Sequence, residues 1–201
     1  MKRFILLSFI CLLFSAEIVA QDIKLPAPQI DGGLPLMQAL SKRQTSRAFS
    51  SKELDPQTLS NLLWAANGFN RSDKRTAPTA SNRQELEIYV TMSSGWYWYD
   101  AKNNVLVQKG TTNLRTHTGR QDFVAVAPLN IVIIADTEKQ SKENYHWIDA
   151  GYISQNIYLF CASEGLATVV RAMVDREDLS KAMNLTDKQV IVVAQTVGYP
   201  E

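Results

Sequence analysis

The run from Leu129 to Ala135, LNIVIIA, is apolar at every position except Asn130. A strand with one face in water alternates apolar and polar residues, so an unbroken apolar run demands cover on both faces. The chain therefore has to build a sheet with a packing layer above it and another below. A second run, Val190 to Val197, makes the same demand near the C-terminus. Helices are the available cover. Ile148 to Ala162 carries Ile148, Tyr152, Ile153, Ile157, Phe160 and Cys161 around much of a helical circumference and stops at Gly165, which predicts the main core helix. Asp55-Pro56 is a helix start, an N-cap followed by proline at the first helical position. Leu59, Leu62, Leu63 and Ala66 follow at helical spacing, with Gly68 as the stop. Shorter helices are predicted from Pro35 to near Lys42 and from Asp175 to Met183.

Leu86 to Met92 alternates between turn residues and predicts a strand, and Leu166 to Ala172 predicts another. Trp96 to Tyr99 and Val105 to Val107 flank an Asp100-Ala101-Lys102-Asn103-Asn104 turn, a hairpin whose aromatic alternation reads as a packing face. Strands and helices are interspersed around one mixed sheet with a long central helix, which is an α+β pattern.

The N-terminus carries a different signal. Lys2 and Arg3 precede an apolar run from Phe4 to Phe14, and Ala16-Glu17-Ile18-Val19-Ala20 places small residues where a signal peptidase reads. Residues 1–20 are thus expected to be a cleaved secretory signal, and the mature chain to be exported to the periplasm or the medium. The run is well short of the roughly 20 residues a stable membrane span needs, so no permanent anchor is expected. From Gln21 to Gly33 the chain is polar, with Pro26, Pro28 and Gly32-Gly33, and reads as an extended leader ahead of a domain over residues 34–201.

Charge and composition narrow the partners. Twenty-one basic against twenty acidic residues leave a formal charge of +1, which gives no electrostatic case for nucleic acid or an acidic surface. Two cysteines and two histidines supply no metal-ligand set, and His117 and His146 read as loop or surface residues. Cys161, in an apolar helical run, reads as buried and inert.

Two polar clusters carry the chemistry. Ser41 to Phe49, SKRQTSRAF, follows a helix end and sets Arg43 and Arg47 four residues apart with hydroxyls between them, a donor set suited to a phosphate dianion. The alternative is a solvated helix terminus. Arg75 to Gln84, RTAPTASNRQ, is a loop of small residues leading into a strand. A flat ligand can approach such a backbone, with Asn82 and Gln84 as donors and acceptors for a heterocycle edge. An ordinary polar loop is the alternative.

Together with Asp149-Ala150-Gly151, Gln155-Asn156, Glu164-Gly165-Leu166 and Val197-Gly198-Tyr199-Pro200, the two clusters resemble the nitroreductase superfamily of flavin enzymes in order and spacing. Leu63 to Gly68, Trp98-Tyr99-Asp100 and Gly119 to Phe123 are most similar to its SagB-type dehydrogenase branch. The resemblance implies a mixed, mainly antiparallel sheet flanked by helices, and a homodimer with FMN bound between the subunits. It further implies an oxidoreductase that passes electrons through the flavin to a small organic acceptor, with NAD(P)H as a candidate donor. Arg43, Gln44 and Thr45 match the phosphate-side residues, and Arg47 matches the cation at the pyrimidine edge. Pro78, Thr79, Ala80 and Asn82 match the loop given by the other subunit, and Arg171, Ala172 and Met173 match the strand end whose backbone faces N5. No catalytic acid or base is assigned. A flavin-binding or carrier protein without turnover is the alternative.

Overall fold

The computed structural model describes residues 21–201; the expected signal segment, residues 1–20, lies outside the described residues. Its centre is a seven-stranded sheet in the order β1-β6-β5-β4-β7-β9-β8, with every neighbouring pair antiparallel. The strands are β1 (Ile23–Lys24), β4 (Leu86–Met92), β5 (Gly95–Asp100), β6 (Val105–Gly110), β7 (Leu129–Asp136), β8 (Ala167–Arg171) and β9 (Gln189–Gly198). A separate two-stranded ribbon joins β2 (Phe69–Arg71) to β3 (Lys74–Arg75).

The strand at Leu129 lies inside the sheet, between β4 and β9, and its side chains divide between two cores. Leu129, Ile131, Ile133 and Ala135 pack with α2 (Pro56–Asn67) and α4 (Glu143–Glu164). Val132 and Ile134 face the other way, toward Leu179 and Met183 in and just after α5 (Arg176–Ala182). Two faces with cover are what the unbroken apolar run required.

Local chemistry sets the helix limits. Asp55 caps α2, its Oδ1 accepting the N–H groups of Gln57 and Thr58 at 3.0 and 2.9 Å. Gly165 ends α4 with φ +70°, the left-handed turn glycine adopts without a Cβ penalty. The short α1 (Leu36–Lys42) lies against α4, and α3 (Phe123–Val126) precedes β7. In α4 the helix begins five residues before the predicted Ile148, and this changes one reading. His146 is buried, not a loop or surface residue, and its Nε2–H donates to the Gln140 carbonyl at 2.7 Å.

The segment expected as a leader is built into the sheet. Ile23 and Lys24 pair with Leu106 and Val105 of β6, Leu25 is buried in the core, and the Pro26 carbonyl accepts from Ser60 Oγ at 2.6 Å and Asn104 Nδ2 at 2.7 Å. Proline and the glycine pair dominated the sequence reading there; the three residues that pair and pack come before them. No helix among the described residues is long and apolar enough to cross a membrane.

Candidate functional site

After α1 the chain leaves helical geometry at Arg43 (φ −56°, ψ 120°) and runs along the open side of β8, where Ser46 N–H donates to the Thr168 carbonyl at 3.0 Å. Alternate residues then face opposite ways. Gln44 and Ser46 line a cleft of about 730 Å3 beside the end of α4. Arg43 and Thr45 turn to Tyr158 of α4: the Arg43 guanidinium stands 5.4 Å from the centre of its ring, and Thr45 Oγ1 is 3.0 Å from its hydroxyl. The same hydroxyl accepts the Val170 N–H at 3.2 Å. The β8 margin is therefore satisfied by Ser46 from one side and Tyr158 from the other.

Neither Arg43 nor Arg47 has a carboxylate within ion-pair distance among the described residues. Extended backbone advances about 3.3 Å per residue, which puts the two positions about 13 Å apart. The spacing suits one cation at each end of an elongated ligand.

The loop from Arg75 to Gln84 is held in a strained shape. Ser81, Asn82 and Gln84 have φ of 55°, 53° and 50°, a region that costs non-glycine residues roughly 1 kcal/mol or more each. Internal bonds hold it there. Thr79 Oγ1 accepts the Gln84 N–H at 3.0 Å, Arg75 Nε donates to Gln84 Oε1 at 3.0 Å, and Gln84 Nε2 donates to the Asp73 carbonyl at 2.7 Å. Asn82 Nδ2 reaches the Asp73 carbonyl at 3.3 Å, and its Oδ1 accepts from Gln84 at 3.1 Å. The amides of Asn82 and Gln84, expected from sequence to face a heterocycle, are engaged in shaping the loop. Pro78 and Ser81 are exposed, while Thr79 and Ala80 are half-buried.

Ala80 fixes the loop to the rest of the fold by donating its N–H to Asp149 Oδ2 of α4 at 3.0 Å. Asp149 and Tyr158 are nine residues apart, about 13 Å along the helix axis. Within one chain the basic run and the small-residue loop thus attach to well-separated points of the same helix.

Arg171, at the end of β8, is turned into the protein. Its guanidinium donates to the Thr118 carbonyl at 2.6 Å, Asn130 Oδ1 at 3.2 Å and Thr196 Oγ1 at 3.1 Å, all neutral acceptors. Burial pulls its pKa down to about 10, so it remains charged at neutral pH. A Cβ at Gly119 would collide with this guanidinium, which is why the sequence has glycine there. Ala172 and Met173, which follow, are exposed. Of the three strand-end positions, the last two are open to a ligand and the first is a buried support.

Sequence reasoning missed Tyr158, the tether at Asp149 and the polar set around Arg171. A tyrosine within an apolar helical stretch is the one signal available beforehand, because a buried phenol needs a hydrogen-bond partner. Cys161 is fully buried, with its thiol pKa pushed up by burial, as its apolar surroundings predicted. No group of three or more metal-ligating side chains occurs among the described residues.

The nitroreductase family model matches residues 40–199, from the end of α1 to the last turn. The chain belongs to the nitroreductase family. A protein of Methanocaldococcus jannaschii assigned to the nitroreductases is 30% identical, over 79% of this chain and 89% of the relative. Among solved structures, a protein of Ralstonia eutropha JMP134 assigned to the nitroreductases superposes with a TM-score of 0.85 and 38% identity, covering 90% of each chain. An FMN-dependent nitroreductase of Clostridium difficile R20291 shares the fold, with a TM-score of 0.60 and 20% identity over 82% of this chain and 87% of its own. In this member of the family the basic run lies on the β8 margin and the small-residue loop is tied to the N-terminal half of α4.

Proposed function

We propose that this nitroreductase-family oxidoreductase uses FMN, bound between two copies of the chain, to pass electrons from a reductant to a small organic acceptor. The observation that carries the reading is the β8 margin, where Arg43 and Arg47, neither with a carboxylate partner among the described residues, stand four residues apart with Thr45 between them. That donor set fits a ligand with a phosphate at one end and a polar ring edge at the other. When bound, FMN supplies the hydride and electron chemistry that protein side chains lack.

The chain's own residues bind and orient. Arg43 offers a planar fork of donors to the phosphate, and the ring of Tyr158 restrains that fork. Arg47 places a cation at the pyrimidine edge, where it favours the negatively charged, reduced form of the ring. Gln44, turned toward the neighbouring cleft, adds a neutral contact at most. The exposed backbone at Ala172 and Met173 is the candidate donor toward N5.

Separation of the two clusters along α4 favours a homodimer, because a second copy can bring its Pro78, Thr79 and Ala80 to the basic run of the first. Leu36, Met37 and Leu40 of α1 and Ile148 and Tyr152 of α4 are exposed apolar residues available for that contact. Gly151, with open space where a Cβ would stand, lets a second helix come close. NAD(P)H is the proposed donor. Export of the chain, read from residues 1–20, is part of the proposal and would require a donor present outside the cytosol. The SagB-type branch is the finer proposal within the family.

Purified protein tests the reading. Flavin absorbance, bleaching by a reductant without air and recolouring by a quinone or nitroaromatic support it. Protein that stays colourless after incubation with FMN overturns it, and bleaching without recolouring indicates a carrier. Arg43→Ala is expected to lower FMN retention, and Arg47→Ala to lower the flavin potential with a smaller effect on retention. Equal effects on both quantities contradict the division of roles.

A further inference from the structure

Glu85 is the one carboxylic acid in the described core with no exposure and no conventional partner. It stands between the small-residue loop and β4, fully buried, and no N–H or O–H group of another residue donates to either of its side-chain oxygens. A buried carboxylate without donors is too costly to persist. Its neighbour is a second acid: the Asp149 carboxyl lies within hydrogen-bonding reach, itself 2% exposed. Two carboxylates cannot bond to each other, but a carboxylic acid and a carboxylate can, through one proton.

The remaining groups around the pair favour a single negative charge. From α4, His146 faces Glu85, three residues before Asp149 on the same helix. Its Nε2–H is committed to the Gln140 carbonyl. From β7, Asp136 is drawn to Lys139 at 3.5 Å. From the loop, Arg83 donates to the Lys139 carbonyl, and Arg75 to Gln84 and to the Asn67 carbonyl. None of these cations reaches the pair, so one proton must do the work a counterion would do elsewhere.

Resting on the flavin reading above, we propose that Glu85 and Asp149 share one proton and act together as a positioning clasp for the Thr79–Gln84 loop. Protonated Glu85 donates to one side of the Asp149 carboxylate, leaving Asp149 Oδ2 to accept the Ala80 N–H at 3.0 Å. That bond is the loop's attachment to α4, and the left-handed residues Ser81, Asn82 and Gln84 lie just beyond it. Neither acid touches the ligand. Their task is to keep the loop in the shape that reaches across the dimer.

The proton has a measurable consequence. Burial is the largest cause that raises the Glu85 pKa above the ordinary glutamate value; its own backbone N–H opposes the rise, the Asp149 carboxyl adds to it, and His146 opposes it. The folded protein therefore holds this proton more tightly than the unfolded chain does. Stability contributed by the clasp is complete below the ordinary glutamate pKa and falls as pH climbs through the raised one.

The test uses Glu85→Gln, Asp149→Asn and Asp149→Ala in the full chain, with melting followed from pH 4 to 9 without added FMN, and FMN affinity measured by fluorescence quenching. Glutamine keeps a donor to Asp149 and cannot titrate. The expected result is a flatter pH profile, with Glu85→Gln melting about 3 °C or more above the wild type at pH 8 and close to it at pH 4. Asparagine at 149 can both accept from Ala80 and donate to Glu85. FMN binding is expected to weaken about tenfold in Asp149→Ala and by no more than about twofold in Asp149→Asn. A Glu85→Gln profile parallel to that of the wild type overturns the shared proton, and equal losses in the two Asp149 variants overturn the clasp. Wild-type protein that fails to bind FMN defeats the flavin reading, while the melting curves still decide the shared proton.

Discussion

Removing one oxygen atom from Tyr158 tests how the basic run is held. In Tyr158→Phe the ring that supports Arg43 stays, but the hydroxyl that contacts Thr45 at 3.0 Å and accepts the Val170 N–H at 3.2 Å is lost. The Thr45 hydroxyl is exposed and can turn to water, so its loss costs little. The Val170 amide is part-buried and its N–H is left without that acceptor. An orphaned group of this kind costs about 1–2 kcal/mol, and a melting temperature in a chain of this size moves by about 2–4 °C per kcal/mol, so a fall of roughly 2–8 °C is expected. Thr45 also loses its orientation, and FMN affinity is expected to fall about threefold, since Arg43 and Arg47 are untouched. Thr45→Ala is the control: it removes the same contact while sparing the Val170 bond, and should melt within about 1 °C of the wild type. Calorimetry and flavin fluorescence titration read the two quantities. A Tyr158→Phe protein that melts with the wild type, or a Thr45→Ala protein that melts as low as Tyr158→Phe, would refute the assignment of the hydroxyl to Val170.

Two further perturbations follow from the packing. Gly119→Ala places a methyl group against the Arg171 guanidinium and must displace a cation with three neutral partners; a loss of about 2 kcal/mol or more, read by urea unfolding, is expected, and an unchanged midpoint contradicts it. Asp55→Ala removes the α2 cap and should cost about 1 kcal/mol at neutral pH. Bonds from the Thr58 side chain and backbone hold the Asp55 pKa below its usual value, so the cap's contribution is present above the ordinary aspartate pKa and lost as pH falls through the lowered one. The difference between wild type and Asp55→Ala should therefore shrink below about pH 3, and a constant difference down to pH 2 would be the contrary result.

The parts of the fold that were legible in the sequence are those written as repeated local choices. The unbroken run at Leu129, the Asp55-Pro56 start and the Gly165 stop each reflect a requirement of a single element, and each element formed where that requirement placed it. The β2–β3 ribbon is too short to have a period, and β1 depends on a partner about eighty residues away, so neither could be read locally. The candidate site divides in the same way. Arg43, Thr45 and Arg47 stand out by residue type as a candidate anion site, the reading proposed above. That Arg171 faces inward, that Asn82 and Gln84 serve the loop, and that Tyr158 and Asp149 carry the two halves are consequences of sheet order and helix register, which a linear reading does not contain.

The sheet's two flanks are shielded differently. On the β8 side, Ser46 of the basic run takes the Thr168 carbonyl and Tyr158 of α4 takes the Val170 N–H, backbone groups that would otherwise recruit a strand from another molecule. On the β6 side, a two-residue strand and the Asp22 carboxylate, which takes the Gln108 N–H at 2.9 Å, do the same. The first described residues thus cover one edge of the sheet, and a chain shortened to start at Leu34 is expected to aggregate more readily than the full chain.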